Sequence, residues 1–325
     1  MNNDLLISVT APVYNEDEII NDYISATLKV LKENFANYEL VLIDDGSSDN
    51  SVEQIRTIQK DEKHLRLIRL SRNYGREIAM TAGFDNCIGD IVIVMDSDLQ
   101  DPPELIPLLI NKLREEQADI CYAARTDRRD ESWIKKTTSK LFYKICSSLT
   151  GFTIPDDAGD FRAMNRKVIN SLIQVREKVR YMKMLYAYVG FKTTSIPFER
   201  QARPKGQTKY NYIKLIDAAL DAIISNSHQP LRYVSISSIL ISLFMFILSL
   251  KGIFDKFLLK DIESGWASLF FITTLMFSIL FIFLAIFAEY ISRILTESKD
   301  RPLYYITEES HETKIHNSLN IVEDL

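Results

Sequence analysis

Five short, largely apolar runs with β-branched residues in each alternate with amphipathic stretches, and this alternation limits the fold more than any other feature of the chain. The runs are Leu5 to Ala11, Glu39 to Ile43, Leu65 to Leu70, Ile91 to Met95 and Ile120 to Ala123. Between them, Glu18 to Phe35, Ser51 to Gln59, Ile78 to Cys87 and Glu104 to Glu115 carry apolar residues at helical spacing. Pro102 and Pro103 suit the start of the last of these helices. Strands alternating with helices predict an α/β fold, a mostly parallel sheet with helices on both faces. Ligands of such sheets lie beyond the carboxyl ends of the strands. Polar residues gather there, at 12–16, 44–49, 71–77 and 96–101.

The second constraint is hydropathy. Leu231 to Leu250 is almost wholly apolar, and Trp266 to Ile291 is apolar with Glu289 as its one charge. At ~1.5 Å per residue each run reaches the ~30 Å of a bilayer core, which predicts two transmembrane helices. Residues 1–210 then form the sheet domain, 211–230 an amphipathic juxtamembrane helix, 231–291 a two-helix anchor and 292–325 a tail, polar and expected to be disordered from Glu308 onward. The polar start, Met1 to Asp4, does not read as a secretory signal, so the sheet domain is expected on the cytoplasmic side of a plasma (inner) membrane. Lys205, Lys209, Lys214 and Arg232 before the pair, and Arg293, Lys299 and Arg301 after it, favour the same orientation, although the connecting loop also carries Lys251, Lys256 and Lys260. Glu289 calls for a partner such as Arg232, Arg293 or a neighbouring subunit, unless it lies solvated at the interface. Ser132 to Leu149 sets Trp133, Leu141, Phe142 and Ile145 among lysines and reads either as a membrane-surface helix or as an ordinary exposed one. The helices after Tyr212 could support a homo-oligomer.

Cys87, Cys121 and Cys146 are odd in number and lack CxxC spacing, which points to reduced thiols rather than disulfides or a zinc site. The net charge of -5 leaves no nucleic-acid footprint.

The strongest chemical signal is Val92 to Asp101, an apolar strand ending in Asp96-Ser97-Asp98. Two carboxylates spaced by one residue repel each other at a strand end, and Mg²⁺ or Mn²⁺ held by both would relieve that while bridging substrate phosphates. The same spacing also occurs in plain turns, so the pair alone leaves both readings open.

Ala11-Pro12-Val13-Tyr14-Asn15-Glu16 and Val41-Leu42-Ile43-Asp44-Asp45-Gly46-Ser47-Ser48-Asp49, taken with Asp96-Ser97-Asp98, resemble the signature of family 2 glycosyltransferases. Leu70 to Glu77, Asp98-Leu99-Gln100-Asp101-Pro102-Pro103, Gly159-Asp160-Phe161-Arg162 and Arg203 to Tyr210 follow in the order found in polyprenyl-phosphate glycosyltransferases. Ala288 to Arg293 and Arg301-Pro302-Leu303-Tyr304 are similar to their two-helix bacterial branch, which includes bactoprenol glucosyltransferases; dolichol-phosphate mannose synthase is a further member of the group.

The resemblance implies a GT-A type fold and a set of roles. Pro12, Tyr14, Glu16 and Asp44 would hold base and ribose, although Asp44 to Asp49 also reads as a turn capping the next helix. Asp96 and Asp98 would hold the metal, with Asp98 counted among the catalytic residues, and Gln100 would reach the diphosphate. Arg203 and Lys209 would clamp the leaving phosphate, or else form a basic stretch drawn to anionic lipid. Arg125, Lys135 and Ser139 would hold the acceptor phosphate. Asp160 would act near the acceptor, as an orienting group in preference to a base.

The implied reaction is inverting transfer of a sugar, first UDP-glucose, from a nucleotide-sugar to a polyprenyl phosphate such as undecaprenyl phosphate. The alternatives are a GDP-mannose enzyme, an enzyme extending a polysaccharide, and an inactive nucleotide-sugar-binding membrane scaffold.

Overall fold

The structure, a computed structural model, describes residues 5–125, 158–198 and 265–309 together with part of the stretch 231–247. β1 (Leu6–Val13) and β2 (Asn37–Asp44) are buried on both faces, as strands at the centre of a covered sheet are. β1 pairs in parallel with β2 and with β4 (Ile91–Val94), and β2 pairs in parallel with β3 (Leu65–Leu70). The crossovers are α1 (Ile20–Asn34), α2 (Ser51–Gln59) and α3 (Arg76–Asn86). After β4 a 3₁₀ turn, Pro103–Leu105, opens α4 (Ile106–Glu115), and β5 (Ile120–Arg125) follows. The expected α/β architecture and all five expected strands are present.

Three strands were not anticipated. β6 (Ala158–Asn165) runs antiparallel between β4 and β5, and β7 (Thr193–Phe198) pairs in parallel with β5. β8 (Ile306–Glu309) pairs antiparallel with β3, so the order across the eight-stranded sheet is β7-β5-β6-β4-β1-β2-β3-β8. Glu308 and Glu309, expected to begin a disordered tail, are therefore strand residues. α5 (Arg166–Leu172) and α6 (Met182–Tyr188) lie between β6 and β7.

Side-chain alternation along the strands divides the core in two. Ile7, Val9, Ala11 and Val13 of β1 pack with Ile24 and Leu31 of α1, Ile55 of α2 and Leu109 of α4. Val92 and Val94 of β4 pack on the other face with Met80 and Phe84 of α3, Ile169 of α5 and Leu185 of α6. Gly83 lets α3 press onto β1, since a Cβ there would stand 2.3 Å from Thr10 Oγ1. Cys87 and Cys121 are buried and free.

Beyond the sheet, α7 (Trp266–Ser298) contains, at Leu275–Ser298, the one helix among the described residues that is long and apolar enough to cross a membrane. Large apolar side chains along it, such as Phe281 and Leu284, are exposed. Glu289 pairs with Arg293 at 3.0 Å, one of the partners expected for it. The described positions between 231 and 247 are helical.

The chain leaving α7 is bound to the sheet domain. Glu297 accepts from Lys178 N (2.7 Å), Lys178 Nζ meets Asp300 (2.9 Å), and the Tyr304 hydroxyl donates to Asp85 (2.7 Å). At the sheet edge Arg56 pairs with Glu308, and Arg66 reaches Glu309 (3.2 Å). Arg66 also pairs with Glu39 at 2.8 Å, both buried, while Glu39 accepts from Ile88 N at 2.8 Å. Removing one partner of a buried pair leaves a charge without compensation. Arg66→Ala is accordingly expected to lower stability by about 3–5 kcal/mol, read from urea or thermal unfolding in detergent; a wild-type midpoint would show that this pair does not hold the edge.

Candidate active site

Four strand ends meet at one rim of the sheet. After β1, Asn15 takes a left-handed conformation (φ 54°), one that asparagine tolerates. It is stitched to the loop after β2: Asn15 N donates to Ser47 Oγ (3.0 Å), Ser48 N to Asn15 Oδ1 (2.9 Å) and Glu16 N to Ser51 Oγ (2.9 Å). Asp49 accepts from Ser51 N and Asp17 N (3.0 and 3.1 Å), so it braces the turn before α2, whose N-cap is Asn50 rather than Ser48 or Asp49. Ser97 Oγ donates to Pro12 O (2.9 Å) and joins the end of β4 to that of β1. Tyr14 is exposed beside these turns.

The two carboxylates that end β2 do different work. Asp44 is fully buried, accepts from Ser47 N (3.1 Å) and pairs with Arg69 Nε (3.2 Å), so it closes its own turn. Asp45 turns to the next loop and accepts from Tyr74 N (2.7 Å) and Gly75 N (2.9 Å). Burial pushes the Asp45 carboxyl up, against the pull of those two amides. Gly46 (φ 75°) packs under the same loop; a Cβ there would stand 2.6 Å from the Arg72 carbonyl carbon. The loop that Asp45 grips ends at Gly75 (φ 97°) and delivers Arg76 as the first residue of α3.

Arg76 is the centre of the site. Its Nε and Nη2 donate to Asp96 Oδ1 (2.9 and 2.6 Å), and its Nη1 donates to Asp160 Oδ2 (2.7 Å). The antiparallel register sets Val94 opposite Arg162, and the same register carried two residues further sets Asp96 opposite Asp160. One guanidinium thus spans a carboxylate from each of two neighbouring strands. Burial alone would raise the Asp160 carboxyl, but the charges of Arg76, Lys183 and Arg162 hold it far below the usual carboxylate range. Its Oδ1 is buried and accepts no hydrogen bond among the described residues. Glu77 accepts from Met182 N (2.7 Å), and burial together with the neighbouring Asp160 charge pushes it up to about 7. Arg162 is buried with its guanidinium 3.6 Å over the Tyr186 ring, and its Nη2 donates to Gly159 O (2.5 Å).

Asp98 lies beside Asp96 and is nearly buried, with Gln100 N donating to its Oδ1 (3.1 Å) across a left-handed Leu99 (φ 56°). Among the described residues no group of three or more His, Cys, Asp or Glu is placed to hold a metal ion. Two carboxylates fit a hard divalent cation that completes its shell from water and substrate phosphates, and do not fit a closed protein cage.

The fold brings Pro12, Tyr14, Glu16, Asp44, Asp96, Asp98, Gln100 and Asp160 to this rim region. Arg125 is the last residue of β5. Lys135, Ser139, Arg203 and Lys209 lie outside the described residues, as do 132–149 and 212–225. Arg76, Asp45, Glu77 and Arg162 received no definite role from the sequence. A signal for Arg76 existed: a cation in the first turn of a helix opposes the helix dipole, so its presence after Gly75 calls for carboxylates nearby.

The sequence pattern described as glycosyl transferase family 2 matches residues 8–173. The chain is 39% identical over 310 residues to the uncharacterized glycosyltransferase YkcC of Bacillus subtilis, covering 94% of each chain. It is 34% identical over 303 residues to the undecaprenyl-phosphate 4-deoxy-4-formamido-L-arabinose transferase of Proteus mirabilis, covering 92% of each. A solved mannosyltransferase from Pyrobaculum calidifontis, in complex with GDP-Man and Mn²⁺, superposes with a TM-score of 0.48 at 15% identity, over 70% of this chain and 64% of that one.

The carboxyls of Glu77 and Asp160 titrate in separate windows. Burial and the Asp160 charge push Glu77 up to about 7, whereas the unfolded residue loses its proton near 4.5, so its contribution to stability falls as pH rises between those values. Asp160 has the opposite sign, and its contribution is lost only as pH falls below the unfolded value of 3.8. Glu77→Gln is therefore expected to gain stability relative to wild type from pH 5 to pH 8, read from unfolding midpoints across that range. A difference that stays constant with pH would remove Glu77 as the titrating group.

Proposed function

The chain belongs to glycosyl transferase family 2, and we propose that within it the protein moves a sugar from a nucleotide-sugar onto a polyprenyl phosphate such as undecaprenyl phosphate at a membrane surface. The observation that carries this reading is the rim where Arg76 joins Asp96 to Asp160, with Asp98 two residues after Asp96. Similarity across nearly the whole length of a relative named for undecaprenyl phosphate supports the acceptor. The exposed apolar surface of α7 supports a membrane anchor. We read the orientation as cytoplasmic for the sheet domain, with Leu231 to Leu250 as the first span of the pair.

In this reading Pro12, Tyr14, Glu16 and Asp44 line the base and ribose region, and Gln100 faces the diphosphate. A divalent cation on Asp96 and Asp98, Mg²⁺ or Mn²⁺, would offset diphosphate charge when bound. Arg203 and Lys209 steady the leaving nucleoside diphosphate, and Arg125, Lys135 and Ser139 hold the acceptor phosphate. An acceptor oxygen bonds to the anomeric carbon as the bond from that carbon to the diphosphate breaks, which inverts the centre. A phosphate monoester has its second pKa near ~6, so it arrives largely as a dianion and needs no strong base. Asp160, held ionised by Arg76, orients the acceptor and is poorly suited to abstract a proton.

UDP-glucose is the first donor to try. The arabinose derivative in the Proteus relative's name favours a second reading, in which the donor carries a modified pentose. Membranes containing the protein, incubated with undecaprenyl phosphate and a panel of labelled nucleotide-sugars that includes GDP-mannose, should yield one labelled lipid; none from any donor would leave the scaffold reading in place.

Asp98→Ala is expected to reduce turnover by orders of magnitude with the fold intact, and excess chelator should do the same to wild type. Full activity under either condition would end the metal assignment. Arg125→Ala should raise the apparent KM for polyprenyl phosphate about tenfold to a hundredfold and spare nucleotide binding, whereas Arg203→Ala should act mainly on kcat. Loss of nucleotide affinity in Arg125→Ala with an unchanged lipid KM would move Arg125 to the donor pocket.

A further inference from the structure

We propose that the Arg76 guanidinium is a built-in counter-ion that competes with the divalent cation for Asp96, so that the metal binds tightly only together with the nucleotide diphosphate. The inference rests on Asp96 and Asp98 being the metal ligands.

Geometry supplies the first argument. Two of the N–H groups of Arg76 converge on a single oxygen, Asp96 Oδ1, at 2.9 and 2.6 Å. A metal ligand oxygen sits ~2.1 Å from Mg²⁺, and an oxygen already accepting two short charge-assisted bonds cannot also present those lone pairs to an ion. Entry of the ion requires Arg76 to give up part of this contact, or the ion to bind a less favourable carboxylate edge beside a fixed positive charge.

The second argument is placement. Arg76 is not a free surface cation that swings away at little cost. Asp45 clamps the two residues before it through Tyr74 N and Gly75 N, and Arg76 opens a helix whose own N-terminus is positive. The guanidinium is thereby confined to the mouth between β4 and β6, where it and a divalent ion repel each other.

The third argument is what relieves that repulsion. The diphosphate of a nucleotide-sugar places negative charge on the ion and near the guanidinium, so it offsets the clash that the bare ion meets. Metal and nucleotide then bind with positive coupling, and linkage requires the coupling to be the same in both directions. The bond from Nη1 to Asp160 at 2.7 Å is separate from the Asp96 contacts. Arg76 can therefore loosen its hold on Asp96 and still keep Asp160 ionised and in place for the acceptor.

The test measures Mn²⁺ binding without turnover. Full-length protein in detergent is titrated with Mn²⁺ and free ion is read by electron paramagnetic resonance, alone and with saturating UDP, with GDP in a parallel arm. Wild type should bind Mn²⁺ at least about tenfold more tightly with nucleotide than without. Arg76→Gln, which keeps a planar donor and removes the charge, should bind Mn²⁺ alone about tenfold more tightly than wild type. Its nucleotide effect should shrink by the same factor. Arg76→Lys should stay close to wild type, because the charge remains. Arg76→Gln that melts like wild type but binds bare Mn²⁺ no more tightly would overturn the inference alone. Wild type binding Mn²⁺ equally well with and without nucleotide overturns it with no variant needed. If Mn²⁺ binds in no arm, or binds undiminished in Asp98→Ala, the metal assignment fails and this inference with it.

Discussion

Like charges at one end of a sheet are the constraint around which this structure is arranged. Asp96 and Asp160 come to a common rim because β4 and β6 pair there in antiparallel register, and Asp98 follows in the turn after Asp96. Carboxylates gathered at one rim repel each other unless cations stand among them. Arg76 makes contacts of 2.6 to 2.9 Å to two of the three, and the charges of Lys183 and Arg162 add to its pull on Asp160. Much of the neighbouring loop structure serves to hold Arg76. Asp45 clamps the approach to α3, Gly46 and Gly75 adopt backbone conformations that favour glycine, and Asn15 and Ser47 lock the two turns beneath.

The same pressure explains β6. A strand inside a two-faced sheet is normally apolar on both sides, yet Asp160 and Arg162 share one face of β6. That face meets the core cluster containing Met164, Leu185 and Tyr186. The charges survive there because each has a specific partner, Arg76 for Asp160 and the Tyr186 ring with Gly159 O for Arg162. Glu77 joins the cluster by remaining largely protonated below neutrality, which spares it a direct clash with Asp160.

These two strands mark how far the sequence could be read. The strands with largely apolar runs were legible, as were the helices between them, because burial on both faces leaves a composition that solvated segments rarely share. The polar residues at strand ends were legible for the same reason: Asp96 and Asp98 stand out by following Val92 to Met95. β6 was illegible because Gly159, Asp160, Arg162 and Asn165 break both the apolar run and the alternation. β7 contains Pro197 and is only partly buried, and β8 is Ile-Thr-Glu-Glu, whose strand character comes from Arg56 and Arg66 across the edge. Asp44 shows the reverse limit. Its type and position suited both a ligand contact and a turn, and only the geometry reveals that Ser47 N and Arg69 already engage it.

The path of the chain after α7 carries the last step. The proposed reaction joins a water-borne donor to a lipid phosphate and would need its site at a set height above the membrane, which a flexible tail would not give. Here the end of α7 is fixed through Glu297 to Lys178 and through Asp300 to the same lysine, and the chain is then secured by Tyr304 to Asp85. Lys178 stands four residues before Met182, whose amide donates to Glu77. Glu77 adjoins Arg76, which holds Asp160. Hydrogen bonds at Lys178, Met182 and Arg76, joined by short stretches of chain, thus link the end of α7 to Asp160, and β8 pairs at the sheet edge. In the proposed reaction, with α7 as the anchor, this link would hold the carboxylate of Asp160 at a set distance from a membrane-bound phosphate.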